Sequence, residues 1–343
     1  MIRVLIVDDS AVVRQVLTNG LSKFDDVEVV GSAPDPYVAR EKIAKLRPDV
    51  LTLDIEMPRM DGLTFLEKLM AHHPMPVVVV SSLAPKNSDN AMRALALGAV
   101  ELVGKPSSQF SVPDVERQLI RAVRAAATAK FDRRATPVTH TVAKPALAPI
   151  SLQTTHKIIA IGASTGGTQA IEAILRSWPA NAPGTVIVQH MPEGFIDAFA
   201  KRLNQVCQVE VRQANHQDRV VPGVVLIAPG GKQHMLLERS GANYQVVLKE
   251  GPPVNYHRPS VDVLFQSVAR HAGQNATGVI LTGMGGDGAK GLLAMREIGS
   301  FMIAQDEASC VVFGMPKEAI KLGAASKITS LSHVAHAALS GGD

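Results

Sequence analysis

The sequence predicts an α/β protein of two domains, the first a five-stranded parallel sheet and the second a doubly wound α/β domain with a local antiparallel hairpin. Three observations predict it. Apolar strand-like runs alternate with helix-like stretches on both sides of a central segment. The runs are continuously apolar, as strands are when both sheet faces are buried. A chain of 343 residues, 46% of them hydrophobic, is also long enough for two cores.

In the first half, strands are expected at VLIVD, VEVVG, DVLTLD, PVVVVSS and VELVGK. The stretches between and after them, AVVRQVLTNGLSKF, PYVAREKIAKL, GLTFLEKLMAHH, DNAMRALALG and VERQLIRAVRAAATA, read as helices. Five βα units in about 125 residues imply an open parallel sheet covered on both faces. The segment AAATAKFDRRATPVTHTVAKPALAPISLQTTH follows, without glycine or sustained apolar periodicity but with three prolines and scattered basic residues. This is the composition of a semi-extended linker. The expected divisions are 1–124, a linker over 125–155, and 156–343.

Alternation resumes with the strand KIIAIGAS, a helix over 168–178, TVIVQH, a helix over 196–204 and VEVRQA. KQHMLLERSGANYQVVLKE then reads as a hairpin, followed by a helix over 260–272, the strand TGVILTG, a helix over 288–298 and the strand SFMIAQD.

Composition narrows the function classes. Net charge is −1 for residues 1–124, +3 for 125–156 and +2 for 157–343, so neither large half has the basic surface of a nucleic-acid-binding domain. Cys207 and Cys310 cannot build a disulfide framework. The start MIRVLIVDDS is neither signal peptide nor anchor, and no apolar run approaches a membrane span. A cytoplasmic protein with no direct membrane insertion is expected.

Asp8 and Asp9 follow the first expected strand, Asp54 ends the third, Ser82 follows the fourth and Lys105 the fifth. In a parallel sheet all five lie at the carboxyl edge, where ligands bind. Three carboxylates with one lysine suit Mg²⁺, and Asp54 can then accept a phosphoryl group. Taken singly, each aspartate is as readily a helix cap. Lys105–Pro106 is a candidate cis peptide.

In the second half, GASTG at 162–166 fits G-x-S-x-G, where a tight strand-to-helix turn exposes a serine hydroxyl. The competing reading is a glycine-rich turn that caps the next helix or holds a phosphate. His190, one crossover later, ends TVIVQH, and Asp287 lies on the loop MGGDGAKG after TGVILTG. Ser164, His190 and Asp287 thus reach one edge as nucleophile, base and orienting acid, although Asp287 could instead cap the helix after it. Backbone N–H groups of Thr165 and Met284 are the expected oxyanion donors. His257 and Arg258 either line a substrate cleft or simply lead into the helix capped by Ser260. GASTGG lacks dinucleotide-binding spacing and no acidic residue ends the second strand, so no cofactor is required for the hydrolase.

Over residues 1–124 the motifs VDDS and LDIEMPRMDG, with Ser82 and Lys105–Pro106, resemble the flavodoxin-like receiver domain of bacterial response regulators. The resemblance implies that Asp54 is phosphorylated, that Asp8 and Asp9 hold Mg²⁺ with a backbone carbonyl near Glu56, and that Ser82 and Lys105 sense the phosphate. Leu102 stands where many receivers carry an aromatic switch residue. ASTGG, QHMP, HRPSVD and LTGMGGDGA behind such a domain resemble the chemotaxis protein-glutamate methylesterases, the CheB family. That implies demethylation of glutamate methyl esters on chemoreceptor helices, deamidation of receptor glutamines in many members, and phosphorylation control by the chemotaxis histidine kinase. The alternative is a phosphorylation-dependent regulator that acts by binding rather than catalysis. A DNA-binding version of it has no helix-turn-helix to support it.

Overall fold

Strands β1 (Ile2–Val7), β2 (Val27–Ala33), β3 (Val50–Asp54), β4 (Val77–Ser81) and β5 (Glu101–Gly104) pair in parallel in the order β2-β1-β3-β4-β5. They belong to the first of two compact units, Met1–Thr141 and Val142–Asp343. The computed structural model describes residues 1–57, 60–82, 85–105, 112–130 and 157–341.

Helices α1 (Ala11–Leu21), α2 (Pro36–Leu46), α3 (Gly62–His72), α4 (Pro85–Ala96) and α5 (Val112–Thr128) fill the intervals. Their starts are encoded locally. The Asp35 carboxylate accepts the Tyr37 and Val38 N–H groups at 2.9 and 3.0 Å, and Asp61 accepts that of Thr64 at 2.9 Å, each satisfying donors that a first helical turn leaves unpaired. Val115, Leu119, Ala122, Val123 and Ala126 form the buried stripe of α5, which carries the helix past residue 124 to Thr128. The remainder of the expected linker, 131–155, and the Lys105–Pro106 peptide lie outside the described residues.

The second unit begins with β6 (Ile158–Ala163), α6 (Gly167–Arg176), β7 (Gly184–Gln189), α7 (Ile196–Val206), β8 (Glu210–Gln213), β9 (Arg219–Val220) and β10 (Val224–Ile227). It continues through β11 (Gln233–Ser240), β12 (Asn243–Glu250), α8 (Val261–Ala272), β13 (Ala276–Ile280), α9 (Ala289–Glu297), β14 (Phe301–Gln305), α10 (Met315–Lys321), β15 (Lys327–Thr329) and α11 (Leu331–Ser340). Seven strands make a parallel sheet, β15-β14-β13-β6-β7-β10-β8, and three make an antiparallel one, β11-β12-β9. The expected hairpin is therefore the larger part of a small separate sheet.

Helix α8 joins the two sheets. Its Val261, Leu264, Phe265 and Val268 share one core with Leu237 and Val246 of the antiparallel sheet and Val186 and Val188 of the parallel one. This packing fixes the N-terminus of α8, and with it Ser260, beside the C-terminal ends of the central strands.

Candidate active site

Strand β6 occupies the middle of the seven-stranded sheet, with β7 on one side and β13 on the other. The connections diverge there, opening a crevice beyond the strand ends at a topological switch point. Ser164 follows β6, His190 follows β7 and Asp287 lies in the loop after β13, so the three come from adjacent strands.

The turn at Ser164 is held from both sides. Its N–H donates to Thr282 O at 3.0 Å, and its carbonyl accepts the Gly167 N–H at 2.7 Å. Gly166 reverses the chain with φ 77°, a left-handed conformation that glycine adopts without penalty. Gly283 brings the β13 loop against the serine: a Cβ there would lie 2.7 Å from that of Ser164. The same loop carries Met284, while Thr165 follows the serine directly. Ser164 is only 7% exposed, so its hydroxyl is recessed rather than displayed at the surface.

His190 is anchored by its N–H to Ala163 O at 3.0 Å, and its Nε2–H donates to Asp287 Oδ2 at 2.9 Å. Its Nδ1 is buried and has no hydrogen-bond partner. The Asp287 carboxylate collects donors around both oxygens. Oδ2 also accepts the Val261 N–H at 2.7 Å, and Oδ1 accepts from Ser260 Oγ at 2.7 Å and Asn255 Nδ2 at 2.9 Å. Burial would raise the pKa of such a group, but hydrogen bonds from His190, Asn255 and Ser260 hold it well below the usual carboxylate range. Asp287 is thus a fixed anion held at one ring nitrogen of the imidazole.

The other expected site residues fall around this pair. The His257 ring stacks on that of His190, with centroids 3.7 Å apart and planes 2° from parallel. Arg258 turns to backbone instead, donating to Gly231 O at 2.7 Å and Gly251 O at 2.8 Å. Ser260 caps α8, accepting the Val263 N–H at 3.4 Å, besides donating to Asp287.

At the carboxyl edge of the first unit, Asp8 follows β1 and Asp54 ends β3, the two strands that flank that sheet's own switch point. Oxygens of Asp8, Asp9 and Asp54 all lie within 4.8 Å of one another. Lys105 Nζ stands 2.6 Å from Asp54 Oδ2 and 3.0 Å from Asp8 Oδ2, and the latter oxygen is buried with no hydrogen-bond alignment to any donor. Burial pushes the Asp54 carboxyl up to about 6 despite Lys105 and the Glu56 N–H, which donates at 3.0 Å. Ser82 Oγ points to the Glu56 carboxylate at 3.1 Å, and Leu102 is buried within β5.

Residues 159–338 match the family model described as CheB methylesterase, and residues 4–113 match that of the response regulator receiver domain. The chain belongs to the CheB methylesterase family. It is 54% identical over 334 residues to a Syntrophus aciditrophicus protein named protein-glutamate methylesterase/protein-glutamine glutaminase 2, covering 97% of both. It is 55% identical over 342 residues to the Salmonella typhimurium protein-glutamate methylesterase/protein-glutamine glutaminase, covering 97% of this chain and 95% of that one. A solved structure, the Thermotoga maritima CheB methylesterase catalytic domain, aligns with a TM-score of 0.52 at 37% identity over 54% of this chain and 97% of that one.

Within this CheB-family chain, three residues of the site escape sequence reasoning. Asn255 binds Asp287 from a turn 32 positions away, and its amide also donates to Asp262 at 2.7 Å. Gln189, seen in the sequence only as a non-acidic strand end, donates from Nε2 to Ser164 O at 2.9 Å and His190 O at 3.0 Å, tying the two turns together. His234 accepts the Ser260 N–H on Nδ1 at 3.1 Å and donates from Nε2 to Pro252 O at 2.9 Å, steadying the start of α8. Such links depend on strand order and carry no local pattern. Among the described residues no helix is long and apolar enough to cross a membrane.

Proposed function

We propose that this chain is a protein-glutamate methylesterase controlled by phosphorylation, with Ser164 as nucleophile, His190 as general base and Asp287 as orienting acid. The observation that carries the reading is the one-sided binding of His190. With Nε2–H held by Asp287, the lone pair is on Nδ1, the buried nitrogen that has no other partner.

Nδ1 takes the Ser164 proton as Oγ attacks the γ-carbonyl of a glutamate methyl ester, and Asp287 stabilises the imidazolium. The C–O bond to methoxide then breaks, the Nδ1 proton leaves with it as methanol, and water hydrolyses the acyl-enzyme to a glutamate carboxylate. The same attack on a glutamine side chain releases ammonia, in keeping with the glutaminase names of the relatives. Thr165 and Met284 N–H groups, on the two loops that meet at Ser164, serve the oxyanion, and the hydrolase itself uses no cofactor. Chemoreceptor helices bearing the ester are the substrate, with no role for nucleic acid.

In the first unit, an Asp54 carboxylate oxygen attacks the phosphorus of the chemotaxis kinase's phosphohistidine, an O–P bond forming as the N–P bond breaks and the kinase imidazole leaves. The residues fit Mg²⁺: oxygens of three carboxylates converge within 4.8 Å, a hard-oxygen donor set whose charge Lys105 only partly offsets. Asp8, Asp9, Asp54 and the Glu56 carbonyl would hold the ion, which when bound neutralises charge on the transferred oxygens. Lys105 pairs with the product phosphate, and Ser82 senses it by exchanging its bond to Glu56. A cytoplasmic location follows from these partners.

The test is methanol release from methylated receptor, with and without a small phosphodonor. Ser164→Ala should lower turnover by roughly 10⁴–10⁶-fold, the usual outcome of removing a triad nucleophile. Release at the wild-type rate by that variant would remove the serine from the mechanism.

A further inference from the structure

Helix α8 carries a second acid in its first turn. Asp262 is only 3% exposed, and both of its oxygens accept hydrogen bonds: Oδ1 takes the Gly291 N–H at 2.6 Å and Oδ2 the Asn255 amide at 2.7 Å. The same amide nitrogen donates to Asp287 Oδ1 at 2.9 Å. Two buried carboxylates thus share one carboxamide, which has a proton for each. An amide oxygen in that place would be repelled by both, so chemistry fixes which end of Asn255 faces them.

A second carboxylate beside the acid of the site is costly to keep. Burial, and after it the charge of Asp287, pushes the Asp262 carboxyl above its ordinary value, against the hydrogen bonds from Gly291 and Asn255. The Gly291 bond staples α8 to α9, which is structural work. The Asn255 bond reaches outward instead, to an exposed residue of the turn Val254–His257. That turn is closed by Val254 N–H to His257 O at 3.0 Å and His257 N–H to Val254 O at 2.9 Å. Asn255 stands in it at φ 49°, a left-handed conformation that asparagine tolerates better than most residues. Two positions on, the His257 ring stacks on His190. One turn therefore reaches the acid through Asn255 and the base through His257.

We infer that Asn255 and Asp262 are positioning residues for the hydrolysis: Asp262 aims the Asn255 amide, and the amide pins Asp287 and docks the turn that lays His257 on His190. The inference rests on the methylesterase reading. With Asn255 and Ser260 on Oδ1, the Asp287 carboxylate cannot swivel, and Oδ2 stays on His190 Nε2.

Methanol release from a methylated receptor fragment by the full chain tests this, with a small phosphodonor present throughout. Asn255→Gly accepts the left-handed backbone but removes the amide, and should lower kcat by about 10–100-fold with KM little changed. Asn255→Asp keeps the shape and the turn preference yet sets an acceptor against two carboxylates, so it should be slower than the glycine variant. A residue needed only for the turn would give the reverse order, with aspartate close to the wild type. Asp262→Asn must aim its own NH₂ group at a donor, either Gly291 N–H or the Asn255 amide, and should lose kcat in the same range. Because the two residues act through one contact, the double variant Asn255→Gly/Asp262→Asn should fall within about twofold of the slower single variant. If Asp262→Asn does not fold, the order of the glycine and aspartate variants decides. Unchanged kcat in the glycine variant, aspartate ahead of glycine, or multiplied losses in the double variant overturns the inference. Release at the wild-type rate by Ser164→Ala, run beside them, defeats the methylesterase reading and takes the inference with it.

Discussion

The imidazole rings of His190 and His257 lie face to face, 3.7 Å between centroids and 2° from parallel. Asp287 holds His190 at one ring nitrogen only, and in the proposed mechanism rotation about that bond would turn Nδ1 out of reach of Ser164. The His257 ring blocks the rotation. His257→Ala should therefore lower kcat by about 10–100-fold with KM changed little, since sub-ångström misplacement of a base is expensive. His257→Phe keeps a flat ring in place and should recover most of the loss. Equal damage from both variants, measured by methanol release, would refute a positioning role.

The Gln189 amide joins the carbonyls of Ser164 and His190. Gln189→Met keeps the length and removes both donors, taking the amide from the His190 carbonyl and leaving the Ser164 carbonyl with the Gly167 N–H alone. A loss of about 1–3 kcal/mol in stability of the second unit is expected. Denaturant unfolding should register it, together with slower labelling of Ser164 by a fluorophosphonate. Unchanged stability would mean that water replaces the amide.

Asp287 gives the second unit a defined acid response. Its folded value lies below the ordinary 3.8, so the unfolded chain binds the proton more readily between the two. Stability from this group is present above about pH 4 and is lost as pH falls through the depressed folded value. Melting temperatures of the second unit measured from pH 5 down to 2 should decline more steeply for the wild type than for Asp287→Asn. The variant should also be less stable at pH 7, because an amide cannot accept all the donors now aimed at the carboxylate.

Asp54 has the opposite sign. Its folded carboxyl sits at about 6 against 3.8, so the folded state holds the proton more tightly. In chelator, the stability of the first unit should fall as pH rises from 4 to 6 and then level off. Asp54→Asn should flatten that trend and raise the melting temperature at pH 7.5. Millimolar Mg²⁺ should stabilise the wild type at pH 7.5 and leave the variant much less affected. Parallel responses of the two chains to Mg²⁺ would argue against a site built on Asp54.

Much of the architecture is legible in the chain because each βα repeat announces itself. PYVAREKIAKL becomes α2 with its Asp35 cap, and IIAIGA becomes β6. Strand β10 is missed: VVLI at 224–227, a short apolar run between Pro222–Gly223 and Pro229–Gly230, is passed over, yet it lies inside the parallel sheet between β7 and β8. Its place is set by neighbours on both sides, which no local signal records. Ser164, His190 and Asp287 are readable because each ends or follows a strand-like run beside glycine or a polar corner. Asn255 and Gln189 are not, since a carboxamide in a turn or at a strand end means little until the strand order brings its target close.

The position of β6 in the middle of its sheet also governs when the enzyme comes into being. Ile158 at the start of β6 pairs with Ala276 at the start of β13, so the strand beside the serine waits for more than a hundred further residues. A chain leaving the ribosome can complete β6 and β7, and so carry Ser164 and His190, well before Asp287 is synthesised. Long-range parallel pairing of this kind is slow to form. The nascent protein thus holds Ser164 and His190 before Asp287, and under the proposed triad hydrolysis begins only after the sheet has closed around its oldest strand.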